Sequence, residues 1–76
     1  MDTNPAIGKV GSAVDILGID LTGATAVTFD GVVATFTVAS ATEIITAVPT
    51  AATTGTVKVV TPNGTLSSNV PFYVQP

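Results

Sequence analysis

Two dipeptides constrain this chain more than any other feature. Asp30-Gly31 and Asn63-Gly64 each sit inside a stretch of apolar/polar alternation. A two-residue type I′ turn needs positive φ at both central positions, so Asp-Gly or Asn-Gly between alternating segments is the strongest short-range hairpin signal. About the first turn, Phe29 pairs with Val32 and Val27 with Ala34. That register predicts one face carrying Val27, Phe29, Val32, Ala34, Phe36 and Val38. About the second, Thr61 pairs with Leu66, Val59 with Ser68 and Val57 with Val70, and the face runs on to Phe72 and Val74. A slip of one residue would turn each apolar set to solvent. Two turns that each yield one apolar face are therefore what a half-buried sheet requires.

The rest of the chain continues the pattern. Asn4 to Gly11 reads as a loop or short edge strand, broken by Pro5, Gly8 and Gly11. Ser12 to Leu17 alternates, with Val14 and Ile16 on one face and Asp15 and Leu17 on the other. Gly18 to Gly23 is a connection. Thr25 to Phe29 and Val32 to Val38 form the first hairpin. Glu43 to Val48 is a strand that ends at Pro49, which has no ladder donor. Pro49 to Gly55 is a crossover of small residues, and Thr56 to Thr61 with Leu66 to Val74 form the second hairpin. No stretch of about 10–12 residues carries helical periodicity. Short strands separated by regular turns predict an all-β, two-sheet sandwich. The predicted core is Val14, Ile16, Val27, Phe29, Ala34, Phe36, Val38, Ile44, Val48, Val57, Val59, Val70, Phe72 and Val74.

Composition narrows the function classes. Seventy-six residues make one domain, expected to span 1–76. Without cysteine there is no disulfide to reinforce so small a core. Fourteen Thr and twelve Val favour strands. Net charge is −3, with Lys9 and Lys58 the only basic residues. That balance argues against a nucleic-acid partner. No apolar run is long enough to insert in a membrane. No basic segment followed by an apolar stretch opens the chain, so the export signal of a secreted parent would lie outside it.

Enzyme chemistry is hard to assemble from this inventory. There is no His, Cys or Trp, and the carboxylates Asp2, Asp15, Asp20, Asp30 and Glu43 are scattered. General acid–base work needs two groups held near one reacting atom, and the pattern implies no such pair. Calcium needs six to eight oxygens at one place. Asp20, Thr22 and Asp30 are the set to consider, and solvated loop side chains account for them. No metal, no cofactor and no catalytic residue is expected. An internal isopeptide bond would need a buried amine, yet Lys58 alternates outward between Val57 and Val59, and Lys9 sits in a Gly-rich loop. Asn63-Gly64-Thr65 fits an N-glycosylation acceptor, but the hairpin turn already explains it.

From Pro5 onward the chain resembles the IPT/TIG family of immunoglobulin-like domains. The matching features begin with Pro5, Gly8-Lys9-Val10-Gly11-Ser12 and Val14-Asp15-Ile16-Leu17-Gly18. They continue through Leu21-Thr22-Gly23-Ala24-Thr25, Val27-Thr28-Phe29-Asp30-Gly31 and Ala34-Thr35-Phe36. Last come Ser40-Ala41-Thr42-Glu43-Ile44, Val48-Pro49, Thr53-Thr54-Gly55 and Phe72. The Thr/Ala/Gly-rich style is similar to the bacterial surface and secreted members. The resemblance implies an immunoglobulin-like two-sheet β-sandwich. Two features depart from the family pattern. Only Met1 to Asn4 precede Pro5, so the first strand is expected to be short or missing, with residues 1–4 a leader or remnant. Thr46 stands where the family tends to place a small apolar residue.

The resemblance further implies a non-catalytic spacer or protein-interaction module of a larger extracellular or cell-surface protein. Neighbouring domains of a parent chain are the first expected partners. An uncovered edge along Ser12–Leu17 would recruit a second copy strand to strand, and the chain would then be a trimmed module of marginal stability. A glycan is the alternative ligand, with Tyr73 the one exposed aromatic on offer. Leu17, Ile45, Val33 and Val60 fall on the polar phase of their strands, with Leu17 and Ile45 on adjacent strands. The expected partner surface is therefore Leu17, Ile45 and Asp15, with Tyr73 added.

Overall fold

The computed structural model describes residues 1–75, which form ten strands. They are β1 (Asp2–Asn4), β2 (Ile7–Lys9), β3 (Ala13–Leu17), β4 (Ala26–Phe29), β5 (Val32–Ala34), β6 (Phe36–Ser40), β7 (Glu43–Ala47), β8 (Val57–Thr61), β9 (Gly64–Ser67) and β10 (Tyr73–Gln75). One sheet has the order β1-β3-β7-β6 and the other β5-β4-β8-β9. A two-stranded parallel ribbon, β10-β2, continues the second layer. It is joined there by the Gly55–Phe72 bridge, in which each N–H donates to the other residue's carbonyl, at 3.1 and 2.8 Å.

The first hairpin forms as its turn dictates. Asp30 and Gly31 take φ of 50° and 86°, and Phe29 faces Val32 while Val27 faces Ala34. The strand after the turn does not run unbroken to Val38. It divides at Thr35, where the chain leaves the second sheet as β5 and enters the first as β6. The Thr35 carbonyl is taken by the hydroxyl of Thr46, one of two buried polar side chains in the described core. Thr46 thus occupies a position suited to an apolar residue because a backbone acceptor at the sheet switch needs a donor.

The second hairpin differs from the expected register by two residues. Thr61 faces Gly64, Val60 faces Thr65, Val59 faces Leu66 and Lys58 faces Ser67. The turn is Pro62-Asn63. Among the described residues only Asp20 and Asp30 have positive φ without being glycine, so Asn63 lacks the conformation a I′ turn demands. Pro62 instead takes the first central position, where its fixed φ is suited. Buried Thr61 secures the turn, accepting the Asn63 N–H at 3.2 Å and donating to the Gly64 carbonyl at 2.8 Å. The shift places Ser68 beside Val57: Ser68 N–H donates to the Val57 carbonyl at 2.8 Å, and Val57 N–H to Ser68 Oγ at 3.1 Å. Val70, assigned to the core from the sequence, is consequently 54% exposed in the bend before Pro71.

The start of the chain is ordered into the sandwich. Asp2, Thr3 and Asn4 pair with Leu17, Ile16 and Asp15, so β1 is short but present and covers most of the β3 edge. The edge expected to lie uncovered along Ser12–Leu17 is thus covered over Asp15–Leu17, and only the start of β3 at Ala13 and Val14 lies beyond β1. A cis Asn4–Pro5 bond follows, and β2 then pairs with β10 in the other layer. The two sides of the sandwich are thus closed alike, each by a strand pair that passes from one sheet to the other.

Between the sheets lie Val14, Ile16, Ile44 and Val48 from one side and Val27, Phe29, Ala34, Val57, Val59 and Phe72 from the other, all buried. The Phe29 and Phe72 rings meet edge to face, 5.2 Å apart at 87°. Phe36, Val38 and Val74 are partly buried against this cluster. Leu21 and Ala52, both from connections, are also buried. Leu21 closes one end, its N–H donating to the Ala41 carbonyl at 2.9 Å.

Candidate interaction surface

Alternation on β3 and β7 decides what the first sheet shows to solvent. With Val14, Ile16, Ile44 and Thr46 turned inward, Asp15, Leu17, Glu43 and Ile45 must turn outward. The pairing sets Asp15 across from Ile45 and Leu17 across from Glu43. Leu17 and Ile45, 41% and 46% exposed, are therefore diagonal neighbours, as are the two carboxylates. Three of the four residues expected in the partner surface come together here. They sit on the two central strands, where ladders on both sides hold the backbone.

Tyr73 does not join them. It lies on β10 in the opposite layer, 53% exposed, and its register partner is Ile7 on β2, which is exposed as well. Ile7 is the surface residue that sequence reasoning missed. Parallel pairing between the two ends of a chain leaves no local marker, although Ile7-Gly8-Lys9 does alternate as a strand should. Val33 and Val60 also lie exposed on this second layer, on β5 and β8, and Lys58 stands between buried Val57 and Val59.

The remaining polar groups do not converge. Asp20 lies in the connection leading into β4 and Asp30 in the turn leaving it, so the two carboxylates do not share an end of the sandwich. Asp30 is engaged locally: Oδ2 accepts from the Thr53 hydroxyl at 2.6 Å, and its side chain lies where a Cβ on Gly55 would fall. Among the described residues, no group of three His, Cys, Asp or Glu side chains is placed to hold a metal. Both lysines are exposed, which withholds the buried amine an isopeptide bond requires. Asn63 is exposed at the tip of its turn.

A two-layer sandwich closed by sheet-switching strands, with rigid outer faces, is an immunoglobulin-like module. A family model for the IPT/TIG domain matches residues 1–74, and the chain belongs to that family. Comparison with curated proteins found no match. IPT/TIG domains are generally non-enzymatic and often form part of larger proteins.

Proposed function

We propose that this domain is a non-catalytic spacing and docking module of a larger cell-surface or secreted protein. The observation that carries the reading is the outer face of β3 and β7. There Leu17 and Ile45 form an apolar diagonal bordered by Asp15 and Glu43 on a fixed backbone. Apolar side chains grouped on a rigid face are what a docking surface supplies. The Thr-rich, lightly charged surface and the bacterial style of the sequence support an extracellular setting. The test compares amide NMR spectra of the chain alone and joined to the segments flanking it in its gene. Docking through this face predicts shifts at Asp15, Leu17 and Ile45 that Ile45→Lys removes. Shifts confined to residues next to the junctions would leave only a spacer.

One observation favours a second reading, an accessory carbohydrate-binding module. Tyr73 is exposed beside Ile7, near a shallow depression lined by Lys9, Thr54 and Gln75. An aromatic side chain next to hydrogen-bonding groups suits the apolar face of a sugar ring. Affinity electrophoresis against polysaccharides, with Tyr73→Ala as control, tests it. Retardation that Tyr73→Ala abolishes supports the reading, and equal mobility in every gel removes it.

A further inference from the structure

The charges borne by the strands divide by sign between the two layers. On the outer side of the β1-β3-β7-β6 sheet stand Asp15 and Glu43, with Asp2 at the rim, where its carboxylate also takes the Asn69 amide at 2.7 Å. No lysine lies on that sheet. Both lysines of the chain lie on the other layer, Lys58 on β8 and Lys9 on β2, and none of its strands carries a carboxylate. The other two acids, Asp20 and Asp30, are in connections. Each face also carries exposed aliphatic side chains, Leu17 and Ile45 on the acidic one, and on the basic one Val60, two residues along β8 from Lys58, and Val33, across Thr28 from Lys58.

We propose that these faces are complementary docking surfaces, and that the occupant of the Leu17/Ile45 face is the Val33/Lys58/Val60 face of a second copy of this chain. The proposal rests on the reading of Leu17 and Ile45 as a docking surface and names what docks there. Charge complementarity selects the occupant. Two acidic faces would set Asp15 and Glu43 against their own kind, whereas an acidic face on a basic one brings Lys58 to them while the aliphatic groups meet. The contact is heterologous. Because the two faces lie on opposite sides of the sandwich, each added copy leaves one of each free, and association continues instead of stopping at a dimer. Exposed ion pairs contribute little individually and are screened by salt. The association is accordingly weak, and it becomes effective where copies are held close together.

Sedimentation and NMR titration of the 76-residue chain at rising concentration test this. The expected result is a mass that climbs without a plateau at the dimer and falls back when salt is raised from about 0.01 M to about 1 M. Ile45→Lys and Lys58→Glu, both at exposed strand positions, should each weaken association about three- to fivefold. Glu43→Lys serves as a second variant of the acidic face, and thermal melting checks that each variant folds. An equimolar mixture of Ile45→Lys and Lys58→Glu chains should recover association as far as a heterodimer and no further, because it offers one unaltered acidic face and one unaltered basic face and leaves only altered faces free. A chain that stays monomeric at millimolar concentration overturns the proposal. So does a dimer sensitive to Ile45→Lys alone, which marks a symmetric contact of two acidic faces. Association that survives both variants marks strand-edge pairing and overturns it too. Failure of the mixture to recover does the same. Shifts at Asp15, Leu17 and Ile45 on joining the flanking segments, in a chain that stays monomeric alone, would support the docking reading and overturn this proposal, so the two fail separately.

Discussion

At the scale of single residues, two contacts hold the sheet switches and turns in place. Thr46 is buried so that its hydroxyl can reach the Thr35 carbonyl where β5 becomes β6. Thr46→Val keeps the shape and removes the donor, which leaves a backbone acceptor unpaired. We expect a loss of about 1–3 kcal/mol in urea unfolding. Thr37→Val, on the outward side of β6, should stay within about 0.5 kcal/mol. An equal response from both would mean that the Thr35 carbonyl finds another donor. Gly55 is the second such residue. A Cβ there would fall on Asp30 Cγ and Oδ1, so Gly55→Ala must expel the Asp30 side chain from its bond with Thr53. The expected cost is roughly 1–3 kcal/mol. Asp30→Gly removes the obstructing side chain, so Gly55→Ala should cost clearly less in that background. Additive effects would show that the strain lies elsewhere, for instance in the Gly55–Phe72 bridge.

At the scale of elements, the two hairpins respond differently to substitution because only one has the register its turn dipeptide suggests. With Val59 facing Leu66, Val70 is left outside the sheet. Val70→Ala should therefore change stability by no more than about 0.5 kcal/mol. Phe29→Ala should cost about 3–5 kcal/mol, since its ring is buried against Phe72. Phe36→Ala should cost less, its ring being only partly buried. Thermal melts of the three variants check the order, and a large effect at Val70 would restore the other register. Asp30-Gly31 was legible because both residues adopt the left-handed conformation the dipeptide advertises. Asn63-Gly64 misled because Pro62, which cannot donate to a ladder, displaces the turn by one position, and the pairing shifts by two with inside and outside unchanged. The switch at Thr35 left no trace for a related reason: Ala34, Phe36 and Val38 keep pointing inward on either side of it. Leu21 has no periodic neighbours, so its burial follows from the shape of the sandwich end and not from any local pattern. On the outer face, Asp15, Leu17 and Ile45 were legible because two regular antiparallel strands set them side by side. The separation of Tyr73 from them depends on the parallel β10-β2 pairing, which is decided by the assembled fold.

For the whole molecule, the decisive element is β1, because it clasps both layers. It pairs with β3 over Asp15–Leu17 in the first sheet. The Met1 carbonyl accepts the Asn69 N–H at 2.9 Å, and Asp2 Oδ1 accepts the Asn69 side-chain amide, both from the segment linking β9 to β10. Met1 packs against the buried cluster, close to Gly18. Deleting residues 1–4 therefore removes three strand pairings, a clasp between layers and an apolar plug. The bare side of β3 would then present unpaired N–H and C=O groups, a template for another strand. We expect the shortened chain to melt lower by at least about 5 °C, since about 1 kcal/mol moves a domain of this size by roughly 4–8 °C. It should also form dimers by sedimentation, and these should persist when salt is raised, because backbone pairing does not depend on the Lys58 charge. Asn69→Ala, which keeps the β1 ladder and loses its side-chain tie to Asp2, should lower the midpoint by less and leave the mass unchanged. If deletion changed neither midpoint nor mass, β2 and the turn into β3 would suffice to close that side, and β1 would be dispensable to the sandwich.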